Sequence, residues 1–193
     1  PIGLDALDVS RIEAGFVLQG IDYVSARSCL IEARKSSPEE AGLGWTVNLD
    51  REGWIGREAL LREREVGPKW GLVGLEFDWA ELEELHAEYG LPPHLAPEAC
   101  RSAVPVYTKT MAPEKIMGQQ VGQVTSSTWS PTLKRYIAIG QVHAEHAALG
   151  TKLQVEYTVE FERRRLTATV VKRPFFDPPR KTFTPNAPPK GDS

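Results

Sequence analysis

From Gly71 to Arg173 the chain falls into six short strand-like runs, and this segmentation limits the fold more than any other feature. The runs are 72–77, 104–109, 119–127, 136–143, 152–162 and 166–173. Glycine and proline punctuate them, a pattern that predicts an antiparallel barrel or sandwich. One charged amphipathic helix, 79–89, and a proline-containing loop, 91–103, interrupt the series. Pro174 ends the last strand, and Pro185, Pro188, Pro189 and Gly191 mark 182–193 as a flexible tail.

The first third reads differently. Leu4 to Ala14 predicts a helix with Leu4, Leu7 and Ile12 on its apolar side and Asp5, Asp8 and Arg11 on its polar side. Gly15 is a natural stop, and Phe16 to Leu18 is strand-like. A second helix is expected from Ala26 to Lys35. Ser37-Pro38-Glu39-Glu40 carries a capping box that starts a short helix, stopped by Gly42 and Gly44. Trp45 to Leu49 alternates as a strand does, Asp50 to Gly53 forms a turn, and Arg57 to Val66 is a helix with Leu60 and Leu61 inward. Gly67-Pro68 closes this portion. The fold class is therefore α+β: 1–67 is a mixed α/β piece too small to close a core alone, and 68–181 is a mostly β domain.

Composition narrows the functional classes. With 193 residues, 41% hydrophobic, 25% charged and a net charge of −3, the chain can bury a core and has no general attraction for nucleic acid. No apolar run approaches the ~20 residues that cross a bilayer, and no export signal opens the chain. Cytoplasmic residence is the expectation, with Cys29 and Cys100 as free thiols. The chain starts at Pro1 rather than Met and reads as helix almost at once, so preceding polypeptide is expected.

Four segments, in order, resemble the aminomethyltransferase family known from the glycine cleavage system. They are Gly3-Leu4-Asp5-Ala6-Leu7-Asp8 running to Arg11-Ile12-Glu13-Ala14-Gly15; Gly42-Leu43-Gly44-Trp45-Thr46-Val47 with Trp54-Ile55-Gly56-Arg57-Glu58-Ala59-Leu60; Val121 to Leu133; and Lys172-Arg173-Pro174-Phe175-Phe176. The resemblance implies the end of a folate-binding domain followed by the family's C-terminal β-barrel. It implies tetrahydrofolate as cofactor and transfer of a one-carbon group from a donor to it. A lipoyl carrier protein and the missing N-terminal part, in the same protein or a partner subunit, are the implied partners. The family's catalytic aspartate belongs to that N-terminal part. No residue here is therefore assigned a catalytic role, and the fragment alone is expected to be inactive. A folate-dependent O- or S-demethylase relative and a non-catalytic folate-binding or docking module are the alternatives.

The resemblance also nominates site residues. Glu13 stands where the family's glutamate holds the pterin edge, since a carboxylate can accept from a ring N–H and an adjacent amino group together. Arg51, six residues past Trp45, is placed to clamp the carboxylates of a folate tail. Trp45 could stack on the pterin, although a strand tryptophan also reads as plain core. Tyr23 has a similar claim. The stretch Asp177-Pro178-Pro179-Arg180 lacks the folate-facing tyrosine of some members. His143-x-x-His146 has the spacing of half a metal site but reads as loop, so no metal is assigned, and Arg163-Arg164-Arg165 reads as a solvated hairpin turn.

Overall fold

The computed structural model describes residues 3–108 and 118–182. Six strands close a barrel: β1 (Trp70–Phe77), β2 (Val104–Thr108), β3 (Gln120–Ser130), β4 (Arg135–His143), β5 (Lys152–Val159) and β6 (Glu162–Val171). The order around the ring is β1-β4-β3-β2-β5-β6, and every pairing is antiparallel. Of the two expected β architectures, the barrel is the one formed. Lys109 and the tail from residue 183 onward, both covered by expectations above, lie outside the described residues.

Alternation along β4 explains the core. Ala138 and Val142 point inward and join Val73, Leu75, Val106 and Leu166 in the barrel interior. Ile137 and Ile139 point outward and form a second cluster with Ile12. The strand is thus buried on both faces, with period two. The helix α3 (Trp79–Ala87) is capped by Asp78, whose carboxylate accepts from the Glu81 N–H at 3.2 Å, and it drives the fully buried Leu82 into the interior cluster.

β3 and β4 approach closely. A side chain on Gly122 would overlap the carbonyl oxygen of Gln141, and a Cβ on Gly140 would lie 2.7 Å from that of Gln123. A bulge at Thr125 shifts the register between Val124 and Ser126. Beyond it, Ser126, Thr128 and Ser130 pair with Ile139, Ile137 and Arg135, which places three hydroxyl side chains on the barrel's outer wall.

Several expectations need correction. The triple arginine is not a turn: Arg163, Arg164 and Arg165 lie in β6 opposite Thr158, Tyr157 and Glu156. The turn is Glu160-Phe161, with φ of 46° and 66°. Positive φ at both central residues is the geometry that matches strand twist in a two-residue hairpin, and the chain adopts it without glycine. Phe16 to Leu18 forms no strand, only running into an isolated bridge between Gln19 and Tyr23. The helix expected over 26–35 is two 3-10 turns, Ala26–Ser28 and Glu32–Arg34. The capping box forms as expected: Ser37 Oγ accepts from the Glu40 N–H at 3.1 Å and Glu40 Oε2 accepts from the Ser37 N–H at 3.2 Å. It serves one turn rather than a helix. Trp45 sits in a 3-10 turn, Gly44–Thr46, not a strand. The helix α2 (Arg57–Val66) forms as read, with Leu60 and Leu61 half-buried.

The helix α1 (Leu4–Glu13) is where the amphipathic reading inverts. Leu4 and Leu7 are 81% and 53% exposed, whereas Asp8, Arg11 and Glu13 are buried together with Ile12. The charged side of α1 faces the outer wall of β3 and β4, because that wall carries hydroxyls as well as isoleucines.

Candidate functional site

Glu13 ends α1, a position where a carboxylate is disfavoured by the negative end of the helix dipole. The barrel offsets this. Ser130 Oγ donates to Glu13 Oε1 at 2.5 Å and Thr132 Oγ1 donates to Oε2 at 3.3 Å. Ser130 Oγ in turn accepts from the Leu133 N–H at 3.0 Å, and the Phe176 N–H donates to the Glu13 carbonyl at 2.9 Å. The side chain is therefore buried and fixed by the β3–β4 turn. An ionised carboxylate can accept about four hydrogen bonds, so two hydroxyl donors leave capacity for a paired donor from a ligand.

A second buried network anchors the same helix. Arg11 Nε donates to Asp8 Oδ1 at 2.6 Å, Nη1 to Asp22 Oδ2 at 2.6 Å, and Nη2 to Ser126 Oγ at 2.7 Å. Asp22 accepts further from the Leu18 N–H at 2.8 Å, Thr125 Oγ1 at 2.6 Å and Ser126 Oγ at 2.7 Å. Arg101 Nε reaches the other Asp8 oxygen at 2.7 Å. Burial pushes the Asp8 carboxyl up, but hydrogen bonds and charge from Arg101 and Arg11 outweigh it and hold the group below the usual range. The sequence reading puts Asp8 and Arg11 on the polar side of α1 and passes over Asp22. The available signal is one arginine and two aspartates close together around a glycine-punctuated segment.

Nearby, Arg173 Nη2 donates to the Leu72 carbonyl at 3.1 Å and lies over Gly42, whose missing side chain leaves it room. Burial pushes its guanidinium pKa down, opposed by the charge of Asp22.

The other nominated residues are dispersed. Tyr23 is half-buried and lines a cavity of about 560 Å³ between the Gly20–Val24 and 33–36 segments and the barrel wall. Glu13 does not line that cavity. Trp45 is 84% exposed, so the plain-core reading fails: the 3-10 turn lifts its ring off the protein. Arg51 is exposed in a bend, held through its backbone: its N–H donates to Asn48 Oδ1 at 3.3 Å and its carbonyl accepts from Trp54 Nε1 at 2.8 Å. Among the described residues its guanidinium has no partner. His143 stacks on Trp70 with ring centroids 4.1 Å apart.

Residues 96–177, which span β2 to the segment after β6, match the glycine cleavage T-protein C-terminal barrel domain. Aminomethyltransferase of Synechococcus sp. (strain CC9902) is 36% identical over 180 residues, covering 93% of this chain and 39% of that protein. The barrel of this chain belongs to that domain family, and the chain as a whole is similar to aminomethyltransferases. The aminomethyltransferase of Halalkalibacterium halodurans is 34% identical over 176 residues, with 91% of this chain and 38% of that protein covered. The crystal structure of glycine cleavage system aminomethyltransferase T from Bartonella henselae shares the fold, with TM-score 0.65 at 23% identity, over 91% of this chain and 39% of that one. The chain thus spans under two-fifths of the length of these relatives, and it corresponds to their barrel-bearing C-terminal portion. No helix among the described residues is long and apolar enough to cross a membrane.

Proposed function

We propose that this chain is the C-terminal part of a tetrahydrofolate-dependent one-carbon transferase in which Glu13 holds the pterin. The carrying observation is a buried carboxylate, fixed by Ser130 and Thr132, that retains unused acceptor capacity. The donor set suits the group, because a pterin edge offers an N–H and an amino group side by side. Tetrahydrofolate, when bound, supplies the nitrogen that receives the one-carbon unit. The contribution of this chain is positional: Glu13 fixes the head of the ring system, and Arg51, with its free guanidinium on an exposed bend, clamps tail carboxylates. Trp45 and Tyr23 are proposed ring contacts, Trp45 from an exposed position that a further protein surface would complete.

The N-terminal part of the enzyme, in the same protein or a partner subunit, supplies the catalytic group, so this chain alone is inactive. We place the domain boundary at 67/68, with the folate-binding end before it and the barrel, 68–181, after it. A lipoyl carrier protein is the proposed donor partner, and the cytoplasm the proposed compartment. The relatives' printed name, aminomethyltransferase, favours the aminomethyl donor over the demethylase alternative. A docking module without its own folate site is the second reading, favoured by the outward Leu4, Leu7 and Trp45.

Calorimetric titration of the intact enzyme with tetrahydrofolate tests the assignment. Glu13→Gln keeps the side-chain shape and removes the charge, and losing charge-assisted hydrogen bonds of about 1.5–3 kcal/mol weakens binding roughly 10–100-fold. Glu13→Ala should do the same or worse. Unchanged affinity in a Glu13→Gln protein that melts like wild type removes Glu13 from the site.

A further inference from the structure

We propose that the cavity beside Tyr23 is a binding site for a carboxylate- or phosphate-bearing small anion, separate from the pterin position at Glu13. The cavity is about 560 Å³, within the range of small-molecule sites. The carboxylates on its wall are held by neighbouring groups, whereas several of its donors are not. Both oxygens of Asp22 are taken by Arg11, Leu18, Thr125 and Ser126, and Glu40 Oε2 holds its capping-box contact.

Against this, three cations line the walls: Arg34, Lys35 and Arg101. Arg34 has no side-chain partner among the described residues. Arg101 uses only Nε, on Asp8, which leaves its two terminal nitrogens. Lys35 pairs at 2.7 Å with Glu32, which is 83% exposed; such a surface pair contributes about 1 kcal/mol or less and is readily redirected. Among the described residues the amide of Gln123 is unused, and that of Gln141 reaches only Ser36 Oγ, at 3.5 Å. A wall with spare cationic and amide donors, and with its carboxylates held by neighbouring groups, selects a ligand rich in acceptors and negative in charge. The rings of Tyr23 and of Trp70, stacked on His143, add apolar lining for the body of such a molecule.

The site is distinct from the one at Glu13. Thr125 borders the cavity, whereas Glu13 is held by Ser130, roughly 16 Å further along β3 at ~3.3 Å per residue.

The test is calorimetric titration of the intact protein with citrate and, separately, with inorganic pyrophosphate, at constant ionic strength so that general screening is equal. Saturable binding of one of them is expected, and which one identifies the carboxylate or the phosphate source. Arg34→Gln, at an exposed position that leaves folding untouched, should weaken binding at least tenfold, and Gln123→Leu should weaken it further. Arg163→Gln, which changes an exposed cation on β6, should not alter it. Glu13→Gln should leave anion binding intact, so failure of the pterin assignment and failure of this one are separable. The proposal is overturned by absence of saturation with both anions, or by a loss in Arg163→Gln or Glu13→Gln equal to that in Arg34→Gln.

Discussion

Arg11 engages Asp8, Asp22 and Ser126 through three guanidinium nitrogens in a place water hardly reaches. Removing one member of such a cluster leaves uncompensated buried charge, so Arg11→Met is expected to cost about 3–5 kcal/mol, read as a lower urea midpoint. Asp8 makes the same cluster acid-sensitive. Because its folded pKa is lowered, its contribution is complete above the unfolded carboxylate pKa, about 4, and vanishes as pH falls through the lower folded value. The stability of Asp8→Asn should therefore vary less than that of wild type below about pH 4, a difference that denaturation midpoints across pH will measure. At the alkaline end, burial pushes the Tyr157 phenol up to about 12, and an absorbance titration should find it there. At this scale the sequence was informative about residue type and misleading about direction. The motif nominates Glu13, yet Asp8 and Arg11 fall on the polar side opposite the expected packing face, because a helical wheel ranks residues by polarity and cannot see that the facing wall carries hydroxyls.

Among the elements, strands were far more legible than the loops before them. Leu72 to Phe77 and Tyr136 to His143 were read within two residues of the strands that form, since alternation and flanking glycine or proline are local signals. The segments 26–35 and 45–49 form only short 3-10 turns whose side chains are mostly exposed, so no packed face extends them into the helix and strand that their sequence suggests. For the Arg163–Arg165 run charge suggests a turn, but Arg165 lies over the Tyr107 ring at 3.9 Å and Arg164 bonds the Tyr89 hydroxyl at 2.9 Å. The real turn offers a stabilising change. Glu160 and Phe161 adopt a left-handed geometry that costs an ordinary residue about 1–2 kcal/mol, so Glu160→Asn with Phe161→Gly should raise the melting temperature by about 2–4 °C per kcal/mol gained. The opposite holds where β3 meets β4: Gly122→Ala drives a methyl group into the Gln141 carbonyl and should cost about 3 kcal/mol or more in chemical unfolding.

For the molecule as a whole, the N-terminal segment is stitched to the barrel by Arg11, Glu13 and Arg173, while Leu4 and Leu7 of α1 look away from it. Leu4→Glu with Leu7→Glu should accordingly change the stability of this chain by only about 0.5 kcal/mol, yet weaken docking to the N-terminal part proposed above, which pull-down with the N-terminal portion of a homologous aminomethyltransferase will report. The closed ring has a further consequence. Each of the six described strands has a hydrogen-bonded neighbour on both sides over at least part of its length, so the ring presents no full-length edge strand onto which a foreign strand can zip. A companion protein then has mainly side-chain relief to recognise, such as the outward leucines of α1.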